Sequence, residues 1–122
     1  MQMQESAQMY LETIYVLSQE GRPVRSVDIA AHMGYSKPSV SRAVSRLKRS
    51  GHIVVDDNGF LSLTEAGLAE AGKIFERHKV ISRILVMLGV DEEVAAEDAC
   101  RIEHVISDES FDAMKKHLGG VL

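Results

Sequence analysis

Cysteine is nearly absent: Cys100 stands alone in 122 residues. An internal disulfide is therefore excluded, and the thiol is left as inert core, a reactive group, a metal ligand or half of an intermolecular bridge. Long apolar runs are missing too. The richest stretch, VISRILVMLGV, is too short to cross a bilayer and is interrupted by Arg83. The N-terminus lacks the charged start and apolar segment of a secretory signal, so a cytoplasmic protein with no membrane partner is expected. Internal repeats, low-complexity tracts and flexible linkers are also lacking. Basic charge is in deficit overall, with a net charge of −4, which on its face disfavours a nucleic-acid partner.

What is present corrects that last impression. Hydrophobic residues make up 45% of the chain, enough for a packed core. The charge is segregated. Arg22, Arg25, Lys37, Arg42, Arg46, Lys48 and Arg49 face a single acid, Asp28, in the segment they span. From Asp91 to Asp112 the balance reverses, with Glu92, Glu93, Glu97, Asp98, Glu103, Asp108 and Glu109 set against Arg101. Such halves suit different partners, an anionic polymer for the first and a cation for the second, although a solvated acidic face is the ordinary reading of the second.

The periodicity predicts a mainly α protein. ESAQMYLETIYVLSQEG places Met9, Leu11, Ile14 and Tyr15 on a helical stripe that Gly21 and Pro23 end. RSVDIAAHMGYS reads as a short helix with Ser26 as its cap and Gly34 at its C-terminal turn. In SKPSVSRAVSRLKRSG, Ser36 caps, Pro38 sits in the first turn, and Val40, Val44 and Leu47 form one apolar face. Two short helices joined by a tight turn make a helix-turn-helix. HIVVDDNGFLSLT follows, its Asn58-Gly59 pair predicting a tight hairpin turn in which both residues take positive φ. A hairpin in that place is a wing. Beyond it, Thr64 caps a long helix to Gly89, and DEEVAAEDACRIEHVIS and DESFDAMKKHLGG supply two more. The expected architecture is an N-terminal winged helix-turn-helix, residues 1–63, followed by an all-helical domain, residues 64–122.

The exposed face of the second motif helix carries Lys37, Ser39, Ser41, Arg42, Ser45, Arg46 and Arg49. Hydroxyls and amides at a helix start bind phosphates and base edges, and arginines further along reach guanine or backbone. A merely solvated basic helix accounts for the arginines but leaves the turn and wing unexplained, so double-stranded DNA is the expected partner. Reading two half-sites of a palindromic operator calls for a homodimer, with the apolar stretch VISRILVMLG or the helices after it as its interface.

Cys100, Glu103 and His104, at i, i+3 and i+4, share a helical face. A buried cysteine beside a surface glutamate and histidine is the ordinary alternative. Elsewhere, Met9 and Glu12 stand at i, i+3 in the first helix, and His78 sits in the long helix. Each has its own ordinary reading as packing or surface. Six potential donors spread over three helices point to a divalent metal.

Across essentially its whole length the chain resembles the DtxR/MntR metalloregulators. The resemblance rests on MYLETIYVL, SKPSVSRAVSRL, LTEAG, RHKVISRIL and, most specifically, CRIEHVISDE. It implies a metal-activated, dimeric transcriptional repressor in its two-domain form, or a piece of a longer member, since the iron-responsive branch carries a further barrel-like domain. It also implies Met9, Cys100, Glu103 and His104 as the ligand set of the iron-responsive branch. In the manganese branch the positions matching Met9 and Cys100 are carboxylates, and those matching Glu12 and His78 are ligands as well. This chain mixes the two sets. An ancillary site of the iron branch uses the position of His78 with a carboxylate and a histidine where this chain has Ser82 and Ala96, so a conventional ancillary site is not expected. At the DNA face the resemblance implies Ser36, Pro38, Ser39, Ser41 and Arg42, with Pro38 against a thymine methyl and Arg42 in place of a neutral amide. Arg25, Lys37 and Arg46 are expected to touch phosphates. Soft sulfur donors favour Fe2+ over Mn2+, while Glu12 and Glu103 keep Mn2+ in play.

Two rivals follow from the same residues. A winged-helix regulator could ignore metal and sense oxidation through Cys100. A hydrolase could use Cys100 with His104, but no orienting acid, oxyanion loop or pocket-forming sheet is in evidence. No catalytic residues and no organic substrate are expected.

Overall fold

The computed structural model describes residues 5–121, which form six helices and one hairpin. In chain order these are α1 (Glu5–Ser18), α2 (Ser26–Met33), α3 (Lys37–Arg49), β1 (Ile53–Val55), β2 (Leu61–Leu63), α4 (Glu65–Met87), α5 (Glu92–Val105) and α6 (Asp108–Val121). The chain divides into two compact units, residues 1–72 and 73–122, with the division inside α4. Among the described residues no helix is long and apolar enough to cross a membrane.

In the first unit the helix-turn-helix closes on an apolar core. Leu11 and Ile14 of α1, Ile29 of α2, Val40, Val44 and Leu47 of α3, and Ile53 and Leu61 of the hairpin are all buried in it. The turn between α2 and α3 uses Gly34 at φ 71°, whose N–H donates to the Ala30 carbonyl, a left-handed C-terminal cap that glycine adopts without cost. Ser36 then accepts from the Ser39 amide and starts α3, with Pro38 in its first turn.

Two local expectations change. The cap of α2 is Arg25, not Ser26: Arg25 is extended, its carbonyl receives the first helical bonds, and its N–H donates to the Asp28 carboxylate at 2.8 Å. The acid at the third helical position thus satisfies the amide of the cap residue itself. The hairpin turn is also wider than a two-residue Asn-Gly turn. β1 and β2 pair antiparallel from Ile53 with Leu63 to Val55 with Leu61, leaving residues 56–60 as the loop. The Asp56 carboxylate accepts from the amides of Asn58 and Phe60, both at 2.9 Å. Only Gly59 of the pair takes positive φ. A side chain that satisfies two loop amides stabilises the longer turn, so Asn58 has no need of the left-handed region.

The wing is fastened at both ends. The Leu61 amide donates to the Val24 carbonyl at 2.7 Å, and the Thr64 amide donates to that of His52 at 3.0 Å. Thr64 caps α4 as expected, accepting from the Gly67 amide. Here the helix lies so close to the hairpin that a Cβ at Gly67 would overlap the His52 carbonyl oxygen. At Gly72 an added Cβ would meet no described atom within 4 Å.

The second unit packs Val80, Phe111 and Leu118 with Ile84, Ile106 and Met114. Asp91 caps α5 through the Glu93 amide, and Ser107 receives the Ser110 amide as α6 begins.

Candidate metal centre and nucleic-acid face

Burial of Val40, Val44 and Leu47 turns the opposite side of α3 outward. Ser36, Lys37, Pro38, Ser41, Arg42 and Arg46 are exposed and Ser39 is half-buried. Pro38, Ser41, Arg42, Ser45, Arg46 and Arg49 line a shallow groove of about 400 Å³. Polar contacts order its start: the Ser36 hydroxyl donates to the Ser39 hydroxyl at 2.8 Å, which in turn accepts from the Arg42 guanidinium at 3.4 Å. Arg42 is thereby drawn toward the N-terminal half of the helix. Arg25 lies off this groove, its guanidinium 4.3 Å from the centre of the Phe60 ring in the wing loop. The structure thus gathers six of the eight predicted DNA residues on α3 with Ser36 as its cap, and places Arg25 beside the wing.

Of the six predicted metal donors, Met9 and Glu12 belong to the first unit and His78, Cys100, Glu103 and His104 to the second. Met9 and Glu12 are half-buried, one turn apart on α1, the helix whose other side buries Leu11 and Ile14. In the second unit three donors converge. Glu103 is 1% exposed, and its carboxylate lies between two imidazoles. His78 Nδ1 is 2.9 Å from Oε2, and His104 Nε2 is 3.3 Å from Oε1. The His104 side chain is buried and that of His78 is 29% exposed. Cys100 is half-buried one turn earlier on α5.

A carboxylate with no water around it needs compensating charge or a full set of donors. No lysine or arginine side chain among the described residues bonds to the Glu103 carboxylate, and Oε1 accepts no aligned hydrogen bond. The Cys100 sulfur lies within 4.8 Å of a Glu103 carboxylate oxygen, a thiolate and a buried carboxylate of the kind a divalent transition ion would satisfy. These residues fit the metal.

Ser82 and Ala96 line, with His78, a separate cleft of about 800 Å³. Ser82 and Ala96 offer only a hydroxyl and a methyl there, so His78 and Glu92 are the cleft-lining side chains of a type that can ligate a metal.

Sequence reasoning missed Arg77. It is 7% exposed and donates to the carbonyls of Glu103 at 3.3 Å and Ile106 at 2.9 Å. It also pairs with the Asp108 carboxylate. The one available signal was its position immediately before His78, on a helix otherwise read only for its apolar stripe.

Residues 2–59 match the N-terminal DNA binding domain of the iron dependent repressors, and residues 64–121 match their metal binding and dimerisation domain. An HTH-type transcriptional regulator of Methanocaldococcus jannaschii is 36% identical over 93% of this chain and 92% of its own length. The diphtheria toxin repressor of Corynebacterium diphtheriae is 37% identical over 86% of this chain, which spans 47% of that protein. A manganese-dependent transcriptional repressor solved with manganese superimposes with a TM-score of 0.83 at 28% identity, covering 93% of this chain and 52% of that one. The chain belongs to the DtxR/MntR family of metal-dependent transcriptional regulators.

Proposed function

We propose that the chain is a metal-activated repressor that binds a palindromic operator as a homodimer when loaded with a divalent ion, Fe2+ in preference to Mn2+, and that it controls genes of metal uptake or homeostasis. The observation that carries this reading is the Glu103 carboxylate, buried between His78 and His104 one turn from the only cysteine.

The ligands are Cys100, Glu103, His104 and His78 of the second unit, with Met9 and Glu12 of the first. A bound ion would supply positive charge beside the buried Glu103 carboxylate. The sulfur atoms of Met9 and Cys100 favour Fe2+ over Mn2+. His78 serves this site, because it already bonds to Glu103 and because Ser82 and Ala96 cannot complete an ancillary one. Residues 1–63 carry DNA recognition and residues 64–122 carry metal binding and dimerisation. On α3, Ser36, Pro38, Ser39, Ser41 and Arg42 read the major groove, while Arg25, Lys37 and Arg46 hold phosphates. Val86, Met87 and Leu88, exposed at the end of α4, with Val94 of α5, offer apolar surface for the second subunit.

Repression follows as a population shift: metal favours the DNA-competent arrangement by its differential affinity for that state, and operator DNA must then tighten metal binding by the same factor. The test is anaerobic operator binding over a panel of buffered divalent ions. Fe2+ should activate at a lower free concentration than Mn2+; the reverse order would overturn the iron preference. Equal metal affinity with and without operator would overturn the coupling.

A further inference from the structure

The end of α5 poses a structural problem that Arg77 solves. The last carbonyls of a helix have no partner within it, and here the last turn carries Glu103 and His104, two of the proposed ligands. Arg77 Nη1 donates to the carbonyls of Glu103 and Ile106, at 3.3 and 2.9 Å, while Nη2 pairs with Asp108 in the first turn of α6. Its guanidinium carbon lies 5.3 Å from the centre of the Phe111 ring, also on α6. One buried cation therefore ties α4, the end of α5 and the start of α6 together, at the pole of α5 where the helix dipole favours positive charge. The next residue, His78, bonds to the Glu103 carboxylate at 2.9 Å. Consecutive residues of α4 thus grip Glu103 by its backbone and by its side chain.

We propose that Arg77 is a positioning residue for the metal centre: it fixes the end of α5, and with it the face bearing Cys100, Glu103 and His104, against α4 and His78. This rests on the metal-binding reading above. Only a planar fork makes the three contacts at once; a lysine at this position reaches one or two of them. Arg77 touches no proposed ligand atom, so it acts through the orientation of the ligand helix.

The full chain is titrated anaerobically with buffered Co2+, whose visible absorption reports thiolate and imidazole coordination, alongside metal-free thermal unfolding. Arg77→Met should weaken Co2+ binding about 10- to 100-fold, the cost usual for supporting groups around a metal, and alter the spectrum, with Arg77→Lys recovering part of both. Leu118→Ala, in the core of the same unit, is the stability control, lowering the melting temperature while leaving Co2+ affinity and spectrum unchanged. Wild-type affinity and spectrum in Arg77→Met would overturn the proposal while leaving the metal reading intact. If Arg77→Met does not fold, Arg77→Lys and Asp108→Asn decide: weakened Co2+ binding in both supports it, and wild-type binding in both overturns it. Failure of the unaltered chain to bind Co2+ would instead overturn the metal reading itself.

Discussion

The first unit is held mainly by apolar side chains, with Thr13 as its buried polar residue among those described; the second buries the charged groups Arg77 and Glu103. In the first, Leu11, Ile14, Ile29, Val40 and Ile53 are all but fully buried, and Arg42, Arg46 and Arg49 stand outside around a shallow groove. In the second, Arg77 and Glu103 are buried and lean on hydrogen bonds whose partners come from three helices. An apolar core is forgiving in the direction of its contacts, whereas a buried polar cluster must be satisfied group by group. The first unit is thus set by packing, and the second is built around a buried carboxylate held between two imidazoles.

Breaking each side of this contrast should give effects of different kinds. The largest is functional: Cys100→Ala combined with His104→Ala should leave operator binding unresponsive to any divalent ion, measured by anaerobic titration of labelled operator. Metal-dependent binding retained by that variant would refute the metal site. Next is Ile29→Ala, which empties part of the first core and should cost about 2–5 kcal/mol in denaturant unfolding, lowering operator affinity only as far as the unfolded fraction rises. Smaller still is Arg46→Ala. As a phosphate contact it should weaken binding similarly on all sequences and reduce the slope of log affinity against log salt by about 0.9; sequence-selective loss would make it a base contact instead.

The smallest is alkaline. Burial, and then Tyr35 beside it, raise Tyr10 above its ordinary 10.0, against a smaller lowering by Arg42. A raised value means that the unfolded chain releases this proton first. The contribution is whole below pH 10 and is lost as pH rises through the folded value. Tyr10→Phe should flatten the fall of melting temperature above pH 10, and an unchanged profile would count against the assignment.

The same contrast explains what could be read from the residues alone. Helices with one buried stripe announce themselves by period, so α1, α3 and α4 fall where Leu11 and Ile14, Val40 with Val44 and Leu47, and Thr64 place them. Gly34 and Pro38 mark the turn between α2 and α3 for the same local reasons. Glu103 and His104 were legible as ligand candidates because i, i+3 and i+4 are neighbours on any helix. That His78 meets Glu103 depends on the packing of α4 against α5, for which spacing is no guide. Arg77 was illegible in kind: an arginine in a long helix reads as a surface cation, and its burial follows from where another helix ends. Arg25 as a cap and Asp56 as the organiser of the wing turn escaped because each acts through an amide, its own for Arg25 and those of two neighbours for Asp56.

Gly67 and Gly72 lie five residues apart on α4 and look alike to any propensity scale. For a protein engineer they are opposites. In a saturation library, position 67 should return glycine alone, since even a methyl group collides with the His52 carbonyl, and every survivor elsewhere inherits that constraint on the root of the wing. Position 72 has open space, so alanine there should raise thermal stability by roughly 0.5–1 kcal/mol through helix propensity. The one glycine is a hard boundary on the sequences this fold admits, and the other is unused room for improvement.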